Sequence, residues 1–560
     1  MDHLILPKDS TGLRFEIPVL STENYDGGDF LTYPNRQGWG PRRVSEWQTV
    51  FEKPSVEFKA FLQRWLYFGL VHVRFGPIDV KSTFASEKRD EYGRPILTTK
   101  LLPKIALHSI KSSRRANSFH GAVAVRIADT ISVRLTGTWV VKRDNPQQLE
   151  DVESLMQFIT SEGPADPRDP FDSLATTLLY DFSNVSSQWT PSGPSNISNG
   201  GLPPRVAPMS PDIWTILRQR GWCPSAILPM AKHLTSSALV FVANMTSPNA
   251  GRQHRMINIT GSGGSPLPKD ELCNELSCPH LKLSDDTYKT RHLDGCLGCE
   301  DIVADPTAIF RRRKFPLIMA IDADNEDTGV TLVEMESNVS YIAISHVWSD
   351  GLGNVQRNAL PRCQLLRLSD MVRNLPGEAA NTTLFWLDTL CMPPDAADQK
   401  EEQYTALQLM RQVYEDASAV LVLDSWLMSI SCYQIDDAEL MMSIFTATWN
   451  RRLWTYQEGA LARMLLFRFQ DGTCDLDSMF KRYENALDIT ASTTLWTCFD
   501  VKYRGLKRVP SYLESEGCSC RSNGCYDFSK YKPSCGRSAL PGSTSQSRLT
   551  AHTSSERGVL

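Results

Sequence analysis

Apolar residues recur along this chain with two different periods. In FKAFLQRWLYFGL, Phe58, Phe61, Leu62, Trp65 and Leu66 follow one another at helical spacing, which predicts an amphipathic helix ending near Gly69. Residues 121–142 alternate apolar and polar side chains over several short runs and predict strands. From residue 341 the pattern becomes regular. YIAISHVW predicts a buried strand from Tyr341 to Trp348, followed by the polar loop SDGLGN. FWLDTLCMPP predicts a second strand, stopped by Pro393 and Pro394. In residues 399–417, Tyr404, Leu407, Met410, Val413 and Tyr414 lie three or four apart, and acidic residues fill the first turn, where the helix dipole favours them. That helix runs into a third strand, AVLVLD. A helix over 449–464 and a strand in LLFRF complete the pattern. Strand–helix–strand alternation implies an α/β unit with a largely parallel sheet and helices on both faces. Ligands of such sheets lie at the C-terminal strand ends, here the SDGLGN loop and the turn at Asp388.

Breaks in the pattern divide the chain. Residues 183–211 are rich in Ser, Pro, Gly and Asn and bury too little apolar surface to offset their ordering entropy. We read 1–182 as an α+β scaffold, 183–211 as a linker and 212–330 as a middle region containing a Gly/Ser-rich break at 261–270. Residues 335–505 form the α/β domain, and 506–560 a polar, disordered tail. The 560 residues are 41% hydrophobic and 22% charged, which excludes collagenous, coiled-coil and wholly disordered classes. A net charge of −5 gives no global reason to expect nucleic acid, and the run Arg311-Arg312-Arg313-Lys314 reads as a solvated face or strand flank. The first twenty residues have no secretory pattern, and no apolar run approaches the roughly 18–20 residues of a membrane span. The expectation is a soluble cytoplasmic protein, with no membrane association and its N-x-S/T sequons unused.

Fourteen cysteines in such a chain suggest reduced thiols or metal ligands rather than a disulfide framework. Between 273 and 299 the spacing is Cys273-x4-Cys278-x17-Cys296-x2-Cys299, with His280 and His292 between the pairs. Two close pairs separated in this way suit a tetrahedral zinc ion, with two soft ligands from each turn. Gly295 and Gly298 suit the turns of the second pair, and His292 can replace one cysteine. Four protein ligands would make the zinc structural, a staple between the N-terminal region and the later part of the chain. The bland alternative is four unconnected thiols. Cys391 reads as a buried structural cysteine, and Cys518, Cys520, Cys525 and Cys535 as unstructured thiols.

The blocks YIAISHVWSDGLGN, FWLDTLCMPP, MRQVYEDASAVLVLDSWL and RRLWTYQEGALA, in this order over about 120 residues, resemble the fungal heterokaryon-incompatibility (HET) domain. GWCP at 221–224 and the Cys/His cluster are similar to the segment that precedes this domain in some long members. The loop departs from the family, since many members have WG or WGD where Trp348 is followed by SDGLG. The resemblance implies a role in non-self recognition and programmed cell death when incompatible cells fuse. It also implies an architecture similar to the Toll/interleukin-receptor (TIR) domain, some members of which hydrolyse NAD. In those enzymes a glutamate follows a tryptophan by four positions on a helix, and Trp454-Thr455-Tyr456-Gln457-Glu458 has that spacing.

Glu458 is therefore the candidate catalytic residue. Cleaving a nicotinamide–ribose bond develops an oxocarbenium-like cation that a carboxylate can stabilise or attack. Ser345, His346, Asp350, Gly351 and Gly353 are candidates to approach phosphate or ribose, Asp388 to take a ribose hydroxyl, and Trp454 to complete the site. Each has a structural counterpart: Glu458 as a surface carboxylate paired with Arg451 or Arg452, His346 as a satisfied half-buried histidine, Asp388 as a turn cap, Trp454 as core. The resemblance is compatible with two functions. One is a death effector that binds and cleaves an NAD-type nucleotide and self-associates to complete its site. The other is a non-enzymatic module that signals through a protein partner of a self/non-self system, with zinc serving the fold alone.

Overall fold

The computed structural model describes residues 6–8, 17–30, 32–39, 55–111, 189–190, 193–194, 211–248, 273–274, 278, 288, 290–322, 329–337, 339–354, 356–380, 382–393, 398–485 and 495. The strands expected in 121–142, the break at 261–270, most of the linker and the tail lie outside them.

The apolar runs expected as strands become the centre of a seven-stranded sheet. Its strands are β1 Pro316–Met319, β2 Leu332–Glu334, β3 Ile342–His346, β4 Leu384–Trp386, β5 Ala419–Leu423, β6 Leu465–Arg468 and β7 Thr473–Asp475, in the spatial order β7-β6-β5-β3-β4-β1-β2. β4, β3, β5 and β6 are mutually parallel, whereas β1, β2 and β7 join antiparallel. The sheet is therefore mixed rather than largely parallel, and two of its strands come from residues before 335. Every residue of β3 and β5 is buried, the pattern of strands covered on both faces. Burying each Val, Leu or Ile there contributes roughly 1.5–3 kcal/mol.

The parallel strands carry the topology that positions a site. The chain passes from β3 to β4 on one side, then crosses to β5 on the other and on to β6. The winding direction thus reverses between β3 and β5, and ligands of doubly wound sheets sit at such a reversal, at the C-terminal strand ends. Those ends present Ser345 and His346 (β3), Asp388 just past β4, and Asp424 just past β5.

Helices complete the domain: α1 Arg362–Arg373, α2 Asp388–Cys391, α3 Lys400–Glu415, α4 Asp437–Thr446, α5 Leu453–Leu461 and α6 Leu476–Asn485. α3 packs on α5, and α4 on α6. FWLDTLCMPP leaves the sheet earlier than its composition suggests, because Asp388 opens the short helix α2 instead of prolonging a strand. α3 turns Val413 and Tyr414 inward as expected, but its N-terminal half presents a different face. Glu402, Ala406, Val413 and Tyr414 are buried, while Tyr404 and Leu407 are exposed. Glu402 can be buried because Arg311 donates to it at 2.8 Å. Arg312 and Lys314 likewise pair with Glu334, so the basic run is largely neutralised by the domain's own carboxylates.

Ahead of the domain, Val56–Leu62 continues through a π-helical stretch, Gln63–Gly69, into Leu70–Phe75, and buries Phe58, Phe61, Leu62, Trp65 and Leu66 as the periodicity predicts. Three helices, Pro211–Gln219, Pro224–His233 and Ser236–Ala243, share a core with the sheet. Trp222 meets Trp426 edge-on at 6.2 Å, and the Arg451 guanidinium donates to the Ser225 carbonyl at 2.8 Å. Among the described residues no helix is long and apolar enough to cross a membrane.

Candidate functional site

The end of β3 carries two side-chain pairs. The Ser345 hydroxyl donates to Glu458 Oε2 on α5, and the Trp449 indole N–H donates to Ser345 Oγ at 2.7 Å. Beside them, His346 Nε2 lies 2.7 Å from Asp388 Oδ1, and the Trp348 indole N–H donates to Asp388 Oδ2 at 2.6 Å. Arg452 lends its guanidinium to the His346 carbonyl at 2.9 Å. Glu458 therefore makes no surface ion pair with Arg451 or Arg452; Arg451 is directed to Ser225, and α5 turns Glu458 inward.

The environment drives the two carboxylates apart. Burial pushes Glu458 up to about 7, the Asp388 charge adds to this, and Ser345, Arg452 and His346 act against it. Burial also pushes Asp388 upward, but the His346 imidazole, the Trp348 N–H and the Thr389 backbone N–H outweigh it and hold the carboxyl at about 2. Asp388 keeps 29% of its side-chain surface accessible at one edge, although protein surrounds the rest. Being ionised, it only accepts, so His346 Nε2 donates to it and the ring's other nitrogen is Nδ1. That Nδ1 is buried without a partner among the described residues. The buried Tyr414 hydroxyl also faces Glu458 and is raised well above the usual range, by burial first and by that carboxylate next. Carboxyl groups pushed apart in this way can divide acid and base roles at one centre.

Other expected residues serve the scaffold. Asp350 accepts from the Ser425 N–H at 2.7 Å, joining the loop after β3 to the turn after β5. Asp424, in that turn, accepts from the N–H groups of Trp426, Leu427 and Trp449. Burial, then the Asp350 charge, raises it to about 6 against those backbone donors. Gly351 (φ +98°) needs the left-handed region, and a Cβ on it would lie 2.5 Å from the Arg291 side chain. A Cβ on Gly353 would lie 2.6 Å from the Trp348 ring. The space on the Cβ side of these two glycines is thus filled by Arg291 and Trp348. Trp454 is exposed on α5. The tryptophan on the Glu458 side of the site is Trp449, which bonds Ser345 from the 3-10 turn Trp449–Arg451 before α5.

Gly459 keeps Trp449 in place, because a Cβ there would stand 2.8 Å from the indole ring. Alanine would add about 1 kcal/mol of helix propensity. Overpacking a fully buried ring costs about 1–3 kcal/mol, and this ring is fixed by its bond to Ser345. We expect Gly459→Ala to lose about 1 kcal/mol net in thermal unfolding, against the usual gain for Gly→Ala in a helix.

The cysteines expected to share one ion fall into two groups instead. His292, Cys296, Cys299 and Cys363 bring their ligand atoms within 4.8 Å of one another, and Cys223, Cys273 and Cys278 do the same elsewhere. The first group is partly accessible and the second wholly buried. Cys363 and Cys223 escape a reading by spacing because they lie 64 and 50 residues from their partners, Cys299 and Cys273, beyond any local rule. Cys391 is buried, as expected.

Residues 341–431 match the family described as Heterokaryon incompatibility protein (HET), a span that runs from β3 through β5. No curated protein and no solved structure matches the chain.

Proposed function

We propose, from the premise that this chain carries a HET domain, that it is an effector of fungal non-self recognition and programmed cell death. In this reading its domain binds an NAD-type nucleotide at the β3/β5 reversal and cleaves it. The observation that carries the reading is the paired arrangement of Glu458 with Ser345 and Asp388 with His346 at parallel strand ends. The parallel order β6-β5-β3-β4 supports a TIR-like architecture, because doubly wound sheets of this winding bind ligands at the same reversal. A ribose hydroxyl offers Glu458 the donor that Ser345 now supplies. Asp388, ionised and accessible at one edge, can accept from another. As the C–N bond breaks, nicotinamide leaves with the bonding electron pair, and the ribosyl cation forms beside the Glu458 carboxylate. Water then adds its hydroxide to the ribosyl carbon and releases a proton.

Full-length protein incubated with NAD should release nicotinamide, and an absence of release from folded protein at concentrations that permit self-association would overturn the reading. The rate should also track ionisation of Glu458. It should rise about tenfold per pH unit below 7 and level off above, and a profile flat from pH 5 to 8 would remove Glu458 from the chemistry.

One observation favours a non-enzymatic alternative. Tyr404 and Leu407 on α3 and Trp454 on α5 are exposed, and these helices pack together. Aromatic and aliphatic side chains exposed on adjoining elements suit a protein partner or a second copy of this chain. Both readings place the protein in the cytoplasm, with structural zinc in the Cys/His region.

A further inference from the structure

We propose that His292, Cys296, Cys299 and Cys363 hold one zinc ion that locks a strap across the loop carrying Trp348. The proposal deepens the structural-zinc reading by replacing the ligand set that spacing alone suggests.

The distances fit a tetrahedral ion. With Zn–S about 2.3 Å and Zn–N about 2.0–2.1 Å, the N···S edges of a tetrahedron are about 3.5–3.6 Å. From His292 Nδ1 to the sulfurs of Cys299, Cys296 and Cys363 the structure has 3.5, 3.6 and 3.8 Å. The backbone between the first three ligands is shaped for the task. Gly295 and Gly298 take φ of +84° and +104°, open space surrounds both, and the Cys296 N–H closes a turn on the Leu293 carbonyl at 3.0 Å. Thiolates at metal centres are commonly supported by outer hydrogen bonds. Here the Cys363 N–H points to Cys299 Sγ at 3.3 Å, and the Leu293 N–H to Cys363 Sγ at 3.4 Å. Four protein donors leave no open position, which makes the ion structural.

Its place in the fold indicates what it secures. Cys363 stands in the first turn of α1, so the ion would tie the segment 292–299 to the sheet domain. The residues just before His292 lie on the loop after β3. The Tyr288 hydroxyl donates to the Trp348 carbonyl at 2.8 Å and accepts from the Gly353 N–H at 2.8 Å. Thr290 Oγ1 donates to the Gly353 carbonyl at 2.7 Å, and the Arg291 N–H to the Gly351 carbonyl at 3.0 Å. That loop delivers the Trp348 indole to Asp388. The zinc ligands therefore act as positioning residues for Trp348.

Thiol labelling of the wild-type full chain tests the ion without any variant. Cys296, Cys299 and Cys363 are all partly accessible, so free thiols there would react with iodoacetamide. We expect the three to be protected together and released together by a zinc chelator. Labelling of any of the three before chelation overturns the site. Zinc content of the purified chain should fall by one equivalent in Cys363→Ser, and an unchanged content overturns it as well. For the strap, chelation should speed amide exchange in residues 348–353 by about tenfold or more and leave 419–423 unchanged. Equal exchange in both zinc states would overturn the positioning role. None of these readouts depends on nicotinamide release, so the zinc site and the nucleotide reading fail separately.

Discussion

Glu458→Gln should slow nicotinamide release from NAD about a thousandfold while leaving the protein folded, and above pH 7 more stable than its parent. Glutamine preserves the shape and still meets the Ser345 hydroxyl, so what the substitution removes is the negative charge facing the developing ribosyl cation. Charge stabilisation at a preorganised site is worth about 3–4 kcal/mol, which sets the expected loss. The stability gain is a matter of linkage. With its folded pKa raised from 4.5 to about 7, Glu458 binds its proton more tightly in the native state than in the unfolded one. That advantage is whole below pH 4.5 and is lost as pH rises through 7, by an amount on the order of 3 kcal/mol. The glutamine variant does not titrate there. Asp424, also raised, loses stability over an overlapping range, but it is present in both proteins and cancels in the difference. Unfolding of parent and variant from pH 5 to 8 measures the gap. A gap that stays constant with pH would show that Glu458 is not held protonated, and full activity in the variant would leave the carboxylate without a catalytic role.

Strands β3 and β5 and helix α3 were legible because burial on both faces, or a helical repeat, writes itself into local sequence. The mixed character of the sheet was not. β1 and β2 lie in a region whose composition gave no strand–helix alternation, and β1 pairs with β4 across 64 intervening residues. The inward face of α3 was misjudged at Tyr404 and Leu407, because burying Glu402 depends on Arg311, a partner that helical periodicity cannot reveal. Glu458 was singled out through a tryptophan four residues earlier, yet Trp454 is exposed and Trp449 is the one that bonds Ser345, the partner of Glu458. The chain leaves the helical path at Arg452, so the 3-10 turn Trp449–Arg451 takes a different direction from α5. The polar turn SDGLGN was expected to leave room for a ligand. Which neighbour fills the space over a glycine is a tertiary fact, and here Arg291 and Trp348 fill it.

Asp388→Ala should destabilise the protein by about 3 kcal/mol at pH 7, with the loss shrinking in acid. The His346 Nε2–H and the Trp348 Nε1–H both lose their acceptor, and a buried donor left unpaired costs about 1–3 kcal/mol. Asp388→Asn should fall between parent and alanine, since its one carbonyl oxygen can serve only one of the two donors well. The pH dependence separates this loss from simple cavity formation. Asp388 is lowered from 3.8 to about 2, so its contribution is complete above pH 3.8 and disappears as pH falls through 2. The parent-minus-alanine difference should therefore narrow between pH 4 and 2, whereas a packing defect would keep it constant. The same substitution acts on the neighbouring carboxyl. The Asp388 charge helps to raise Glu458, so neutralising it makes Glu458 easier to ionise. In Asp388→Asn the midpoint of the pH–rate profile should move below 7 even as the maximal rate falls, because the ribose has lost an ionised acceptor. A midpoint left at 7 would mean that the two carboxylates do not share a site, and Glu458 would then owe its raised pKa to burial alone.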